Sequence, residues 1–495
     1  MSVLRSASLR ASVRDAVAPR PSGRVTRLVG LRLEVDGVDA AVNEAVHIRR
    51  SDGSVLPAEV VAVQDGTLAC MPLGAPTGVR YGDRVEALGR PLSVGVGHQL
   101  LGRVLDGLGH PLDDGPPLLD CDQVSLDVEP PHPLTRAMVD LPLSLGVRAI
   151  DTLVPCGRGQ RLGIFAGSGV GKSSLLSMIA RGTDAQVSVL ALIGERGREV
   201  NEFIRRDLGP AGLARSVVVV ATSDQPALVR IRAAFTATRI AEWFRDEGLD
   251  VVLMMDSLTR FAMAQREVGL SAGEPPATRG YPPSVFSLLP RLLERAGAGE
   301  RGSITGLYTV LVEGDDLNEP VADTTRSILD GHIVLSRRLA TSGHFPSIEI
   351  LDSVSRVEPA IVSPEHRALA RELRRLMATY RDAKDLVEIG AYARGADPVL
   401  DRAIELKDLI DGFLRQDVST TVAPAEAWRW LASLLAPPVP GPVTGAEAPP
   451  TDDPATASPQ IVPAGELPEG PGAAVLPGPV DPVPAGPVDA VPAVR

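Results

Sequence analysis

The sequence predicts a three-part chain: a small β-barrel, a larger α/β core and an all-helical domain, followed by a proline-rich tail. Three observations carry this. Apolar β-type stretches separated by Asp-Gly pairs fill the first hundred residues; near-continuous apolar runs then alternate with helical patterns; beyond residue 363 only helical spacing remains. The resulting segments are an arm at 1–22, a barrel at 23–93, the core at 94–362, the helical domain at 363–435 and the tail at 436–495.

The arm carries Arg5, Arg10, Arg14 and Arg20 against one acid, Asp15. It lacks the apolar region of a secretory signal and reads as an interaction arm. In the barrel segment, Val29–Val35, Glu59–Val63 and Thr67–Met71 read as strands. Asp36-Gly37, Asp52-Gly53 and Asp65-Gly66 between them read as hairpin turns. In the core, Val187–Ile193, Ser216–Ala221, Val251–Met255 and Ile304–Leu311 are strands with no polar face. Ala227–Phe244 and Val285–Ala296 are helical. Such alternation produces a parallel sheet covered on both sides. Ser363-Pro364-Glu365 and Asp397-Pro398 then open capped helices. Leu369, Leu373, Leu376 and Tyr380 form an apolar stripe on the first of them. The tail holds 17 of the 44 prolines and cannot bury enough apolar area to offset chain entropy, so disorder is expected there.

The chain of 495 residues has 50 basic and 62 acidic side chains, a net charge of −12, and 3% aromatics. This composition disfavours nucleic acid as a partner. The tail alone contributes −6 of that charge (one basic residue, seven acids). Three scattered cysteines, Cys70, Cys121 and Cys156, do not make a disulfide framework or a zinc site and fit a reducing compartment. Only three of the 50 basic residues are lysines: Lys172, Lys384 and Lys407.

Lys172 stands in Ala166-Gly167-Ser168-Gly169-Val170-Gly171-Lys172-Ser173-Ser174, between a strand and a helix, the setting of a phosphate-binding loop. Small residues let backbone N–H groups close on phosphate oxygens, and the helix N-terminus behind them favours anions. Lysine supplies a compact charge where arginine's fork fits badly. The Ser173 hydroxyl suits Mg²⁺. Ala166 departs from the usual first glycine, with Gly167 following at once. Downstream, Val251–Asp256 is an apolar strand ending in an acid, the pattern that holds Mg²⁺ beside such a loop. Glu195 follows another strand end, where a carboxylate can orient water for in-line attack.

These segments resemble the catalytic subunits of rotary ATPases, a RecA-like P-loop family. The resemblance extends over Cys156–Arg161, Leu192–Glu199, Asp256–Phe261, Gly273–Phe286 and Asp330–Arg337. Within that family the chain is most similar to the flagellum-specific ATPase of the type III protein export apparatus. Leu386–Pro398 replaces the acidic lever of the rotary synthases, and Gly273–Pro276 also matches the export branch. The resemblance implies Mg-dependent ATP hydrolysis by a homohexameric ring. It makes Glu195 the catalytic carboxylate, gives Arg196 a supporting role, and makes Arg356, in Leu351–Val357, an arginine finger acting on the neighbouring subunit. It places Phe345, where the family usually has tyrosine, against adenine. It further implies a central stalk, a stator-like regulator on the arm, export-gate membrane proteins, export chaperone–substrate complexes, and a cytoplasmic place at the inner face of the membrane. A virulence secretion ATPase and a proton-translocating synthase subunit are the alternatives. An RNA translocase would need interleaved basic and aromatic residues that the N-terminal segment lacks.

Overall fold

The computed structural model describes residues 21–312, 316 and 318–436. The expectations for residues 1–20 and for the tail beyond Ala436 lie outside them.

Six strands close into a barrel: β1 (Ser22–Val29), β2 (Arg32–Asp36), β3 (Glu44–Arg49), β4 (Val55–Gln64), β5 (Thr67–Pro72) and β6 (Arg84–Pro91), in the order β1-β2-β5-β4-β3-β6. Val25, Leu33, Val35, Val46, Ile48, Val60 and Val85 point inward and are almost wholly buried. Each such side chain contributes roughly 1.5–3 kcal/mol by leaving water. Asp65-Gly66 forms the two-residue hairpin turn between β4 and β5, with φ of 50° and 81°, and Asp52-Gly53 lies in the β3–β4 hairpin. Asp36-Gly37 does not form a hairpin, because β2 pairs with β1 and β5 and never with β3. Val29–Val35 is likewise broken: Gly30, at φ 59°, turns the chain from β1 into β2.

The core is built on a sheet of eight strands in sequence: β7 (Val104–Asp106), β8 (Arg161–Ala166), β9 (Val187–Ile193), β10 (Ser216–Ala221), β11 (Asp250–Asp256), β12 (Ser303–Leu311), β13 (Gly331–Leu335) and β14 (Val354–Ser355). Their spatial order is β14-β13-β8-β12-β11-β9-β10-β7, and a two-residue strand, Gly297–Ala298, pairs with β12 beside this path. All neighbours run parallel except β14 on β13. Along β9, Val189, Ala191 and Ile193 enter one hydrophobic core, while Leu190 and Leu192 enter the other. A strand with two buried faces has no room for a polar face, which explains its unbroken apolar sequence.

Helices α1 (Lys172–Gly182), α2 (Ala227–Asp246), α3 (Leu258–Ala272) and α4 (Pro283–Leu293) cover the sheet. The helix expected to reach Ala296 stops at Leu293, because the chain must turn into the strand at Gly297. The helical domain comprises α5 (Pro364–Glu388), α6 (Pro398–Leu414) and α7 (Pro424–Leu435). Ser363 caps α5 by accepting from the His366 N–H, and Asp397 caps α6 by accepting from Val399 and Leu400. Leu373 and Leu376 are fully buried on the α5 stripe.

Candidate active site

The site forms where parallel strands β8, β9 and β11 end, the side of an open α/β sheet at which ligands bind. Ala166 is the last residue of β8. It is buried between Leu311 and Leu335, and its carbonyl accepts from Val312 N–H at 3.0 Å. Because Ala166 is still extended strand, a glycine is unnecessary there; the left-handed turns fall at Gly169 (φ 76°) and Gly171 (φ 92°). Ser168, Gly169 and Ser173 are exposed, and Gly167 and Val170 are buried. Lys172, Ser173 and Ser174 form the first turn of α1, whose unpaired N–H groups face the loop.

Lys172, Glu195 and Asp256 meet. The Lys172 Nζ donates to Asp256 Oδ1 at 2.5 Å and to Glu195 Oε1 at 3.4 Å. The side chains of Lys172, Glu195 and Asp256 are 12%, 18% and 7% exposed, so the pairing is largely shielded from solvent. Burial opposes the charge on Lys172, but the two carboxylates outweigh it and hold its pKa above the ordinary lysine value. Burial, reinforced by repulsion from Asp256 and opposed by Lys172, pushes the Glu195 carboxyl upward. Gly194, at φ 70°, turns the chain out of β9 and delivers Glu195 beside the loop; the Glu195 carbonyl is fixed by Ser223 N–H at 3.1 Å.

Two neighbours were not visible in the sequence patterns. Thr309, in the apolar run of β12, donates its hydroxyl to Asp256 Oδ1 at 2.8 Å. Arg260 packs its stem against the Gly194 turn, and its Nε is buried without a partner among the described residues. The signal for Arg260 was its place three residues past the capping Ser257 of α3, which puts it one helical turn from the strand end that carries Asp256.

Arg196 points away, 78% exposed, and pairs with Glu199 at 3.1 Å. Arg356 is exposed just past β14, with its N–H on the Asp330 carbonyl at 3.0 Å, and no hydrogen bond or ion pair among the described residues joins it to Lys172, Glu195 or Asp256. Phe345 is 41% exposed with its ring against the Gly171 turn; a Cβ on that glycine would lie 3.4 Å from the ring.

No group of three or more His, Cys, Asp or Glu side chains able to hold a metal occurs among the described residues. The donor set, one hydroxyl at Ser173 and one carboxylate at Asp256, suits Mg²⁺, which keeps waters and shares its coordination with substrate phosphates, and does not suit an all-protein cage.

Family models match the chain from the barrel to the helical domain. The profile "ATP synthase alpha/beta family, nucleotide-binding domain" matches residues 146–355, the family's β-barrel domain matches 25–89, and "T3SS EscN ATPase C-terminal domain" matches 362–433. The chain is 50% identical to a flagellum-specific ATP synthase of Bacillus subtilis over 414 residues, covering 83% of this chain and 94% of the relative. It is 52% identical to a type 3 secretion system ATPase of Xanthomonas euvesicatoria, covering 80% and 90%. The assembled ATPase EscN of enteropathogenic E. coli superposes with a TM-score of 0.80 at 47% identity, covering 84% of this chain and 100% of EscN. EscN in complex with its central stalk EscO gives 0.78 at 46% identity, over 84% and 100%. The chain belongs to the ATP synthase alpha/beta family, among its flagellar and type III secretion ATPases.

Proposed function

We propose that this chain hydrolyses ATP to drive flagellar type III protein export, as a ring of identical subunits around a stalk. The observation that carries the chemistry is the shielded meeting of Lys172, Glu195 and Asp256 beyond the ends of β8, β9 and β11, with β12 lying between β8 and β11. Its relatives are flagellar and type III secretion ATPases, and EscN is known both assembled and with a stalk.

The loop 166–174 closes its backbone N–H groups on the nucleotide's phosphates, and Lys172 places its charge on the β- and γ-oxygens. Ser173 and Asp256 hold Mg²⁺, which neutralises charge on the phosphates when bound. Glu195 orients the attacking water and takes its proton as the water oxygen bonds to the γ-phosphorus. The bond to the β,γ-bridging oxygen breaks, and ADP and phosphate leave. Lys172 and Thr309 both donate to Asp256 Oδ1 and so fix the direction of its carboxylate. Arg356, exposed and not bonded to the Lys172–Glu195–Asp256 cluster of its own chain among the described residues, reaches the γ-phosphate of a neighbouring subunit. Arg196 supports that junction from the loop after β9. Phe345 stacks on adenine, which needs only a ring face. The arm binds a stator-like regulator; export-gate membrane proteins and chaperone–substrate complexes are the clients. The chain docks peripherally at the export apparatus; no helix among the described residues is long and apolar enough to cross a membrane.

The purified chain tests the reading: with Mg²⁺ it should hydrolyse ATP and form rings without a second homologous chain. Dependence on such a chain would replace this reading with a synthase subunit. In the source organism, Lys172→Ala should abolish filament export. Intact filaments with loss of another secretion system would assign the virulence branch.

A further inference from the structure

Gln416 lies in the connection between α6 and α7, far in sequence from the phosphate loop, yet it is 6% exposed and fully engaged. Its Oε1 accepts from the Arg148 N–H at 2.8 Å. Its Nε2 donates to the carbonyls of Gly146 at 2.8 Å and Thr420 at 3.0 Å. Its backbone N–H donates to the Phe345 carbonyl at 3.0 Å. The loop that carries Phe345 is thus held from two sides. From the other side, Ser347 Oγ donates to the Val170 carbonyl of the phosphate loop at 2.6 Å, and the Phe345 ring rests on Gly171.

The anchor behind Gln416 is stiff. Gly146 is at φ 72°, and a Cβ there would lie 2.6 Å from Gly182 Cα at the end of α1. The Arg148 side chain donates to the Phe413 carbonyl at 2.5 Å and lies over the Trp430 ring at 4.1 Å. Arg181, in the last turn of α1, donates to the Val418 carbonyl at 2.5 Å. A buried amide with all its donors and its acceptor used has one orientation, because turning it would strand the Arg148 N–H and the Gly146 carbonyl.

We infer that Gln416 is a positioning residue for the base side of the nucleotide site: it clamps residue 416 to the Gly146–Arg148 turn and so fixes the carbonyl end of Phe345. This rests on Phe345 being the adenine platform. The helical domain therefore sets how tightly nucleotide is held, while the charge cluster sets how fast it reacts.

The test is steady-state ATP hydrolysis by the full-length chain carrying Gln416→Ala, Gln416→Glu, Phe345→Ala, or Phe345→Ala with Gln416→Ala, with thermal melting on each. Gln416→Ala should raise KM about tenfold with kcat within about twofold, the size of one lost polar anchor. Gln416→Glu sets an oxygen against two carbonyls and should raise KM further. The double variant should be no worse than Phe345→Ala alone, since both act through one ring. Should Gln416→Ala not fold, Gln416→Asn keeps the amide on a shorter stem and should show the same split. A folded Gln416 variant with unchanged KM, a loss confined to kcat, or full additivity with Phe345→Ala would overturn the proposal. An unchanged KM in Phe345→Ala would instead remove the base-platform reading on which it stands.

Discussion

Thr309 and Asp256 sit on adjacent strands, and the threonine hydroxyl donates to the same carboxylate oxygen that receives Lys172. The oxygen is therefore fixed from two directions before any nucleotide contact. Replacing Thr309 by valine keeps the shape and removes the donor. Hydrogen bonds to charged groups are worth about 1.5–3 kcal/mol, so kcat/KM should fall about tenfold or more. Melting should shift little. A kinetic assay across Mg²⁺ concentrations checks this; unchanged kcat/KM would show that Lys172 alone orients Asp256.

Glu195→Gln should still bind ATP and lose nearly all turnover, because an amide can fill the space but cannot take a proton. Single-turnover hydrolysis and equilibrium nucleotide binding, measured together, separate the two. In the unmodified protein the raised Glu195 carboxyl takes up a proton above the ordinary glutamate range. Activity should therefore decline on the acid side earlier than an exposed glutamate would cause. Retained turnover in Glu195→Gln would assign the base elsewhere.

Arg356→Ala should abolish hydrolysis, and mixing those subunits with Lys172→Ala subunits should restore part of it. In a mixed ring, an intact loop can face an intact arginine. Failure of any mixture to recover activity would count against an arginine acting across the subunit boundary.

The barrel is fastened to the core by Glu59 on β4, 1% exposed, which pairs with Arg232 on α2. Glu59→Ala should cost about 3–5 kcal/mol, because the guanidinium is left in a poorly solvated place without its counter-charge. Chemical denaturation reads this directly; a loss under about 1 kcal/mol would mean that water reaches Arg232.

Asp151 is buried, and burial pushes its carboxyl up to about 7 although Leu145 N–H, Ser144 Oγ and Gly146 N–H all donate to it. Between the ordinary aspartate range and about 7 the folded chain holds a proton that the unfolded chain has released. Its contribution to stability is thus full at low pH and is lost as pH rises through that window. The difference in melting temperature between wild type and Asp151→Asn, followed from pH 5 to pH 8, should change with that sign. A constant difference would show that Asp151 ionises normally.

The parts legible in the sequence are those made by near neighbours. Val187–Ile193 and Ser216–Ala221 were readable to the residue, because a strand buried on both faces is apolar from end to end. The phosphate loop was readable because its turns demand glycine at fixed places. What escaped depends on partners far along the chain. Asp36-Gly37 has the composition of a hairpin, but β2 is claimed by β5, more than thirty residues on. Thr309 is one more residue in an apolar strand until β11 is laid beside it, and Gln416 acquires meaning only against Gly146 and Phe345.

The scarcity of lysine has a practical side. Besides its N-terminal amine, the whole chain offers amine-directed reagents only Lys172, Lys384 and Lys407. Lys384 and Lys407 pair with Glu388 and Asp411 one turn along α5 and α6, so acylation of surface lysines reports on the helical domain. Lys172 is shielded and strongly protonated. A reactive acyl-phosphate nucleotide would deliver its label to that amine with almost no background, and a single modified peptide would count occupied sites in an assembled ring.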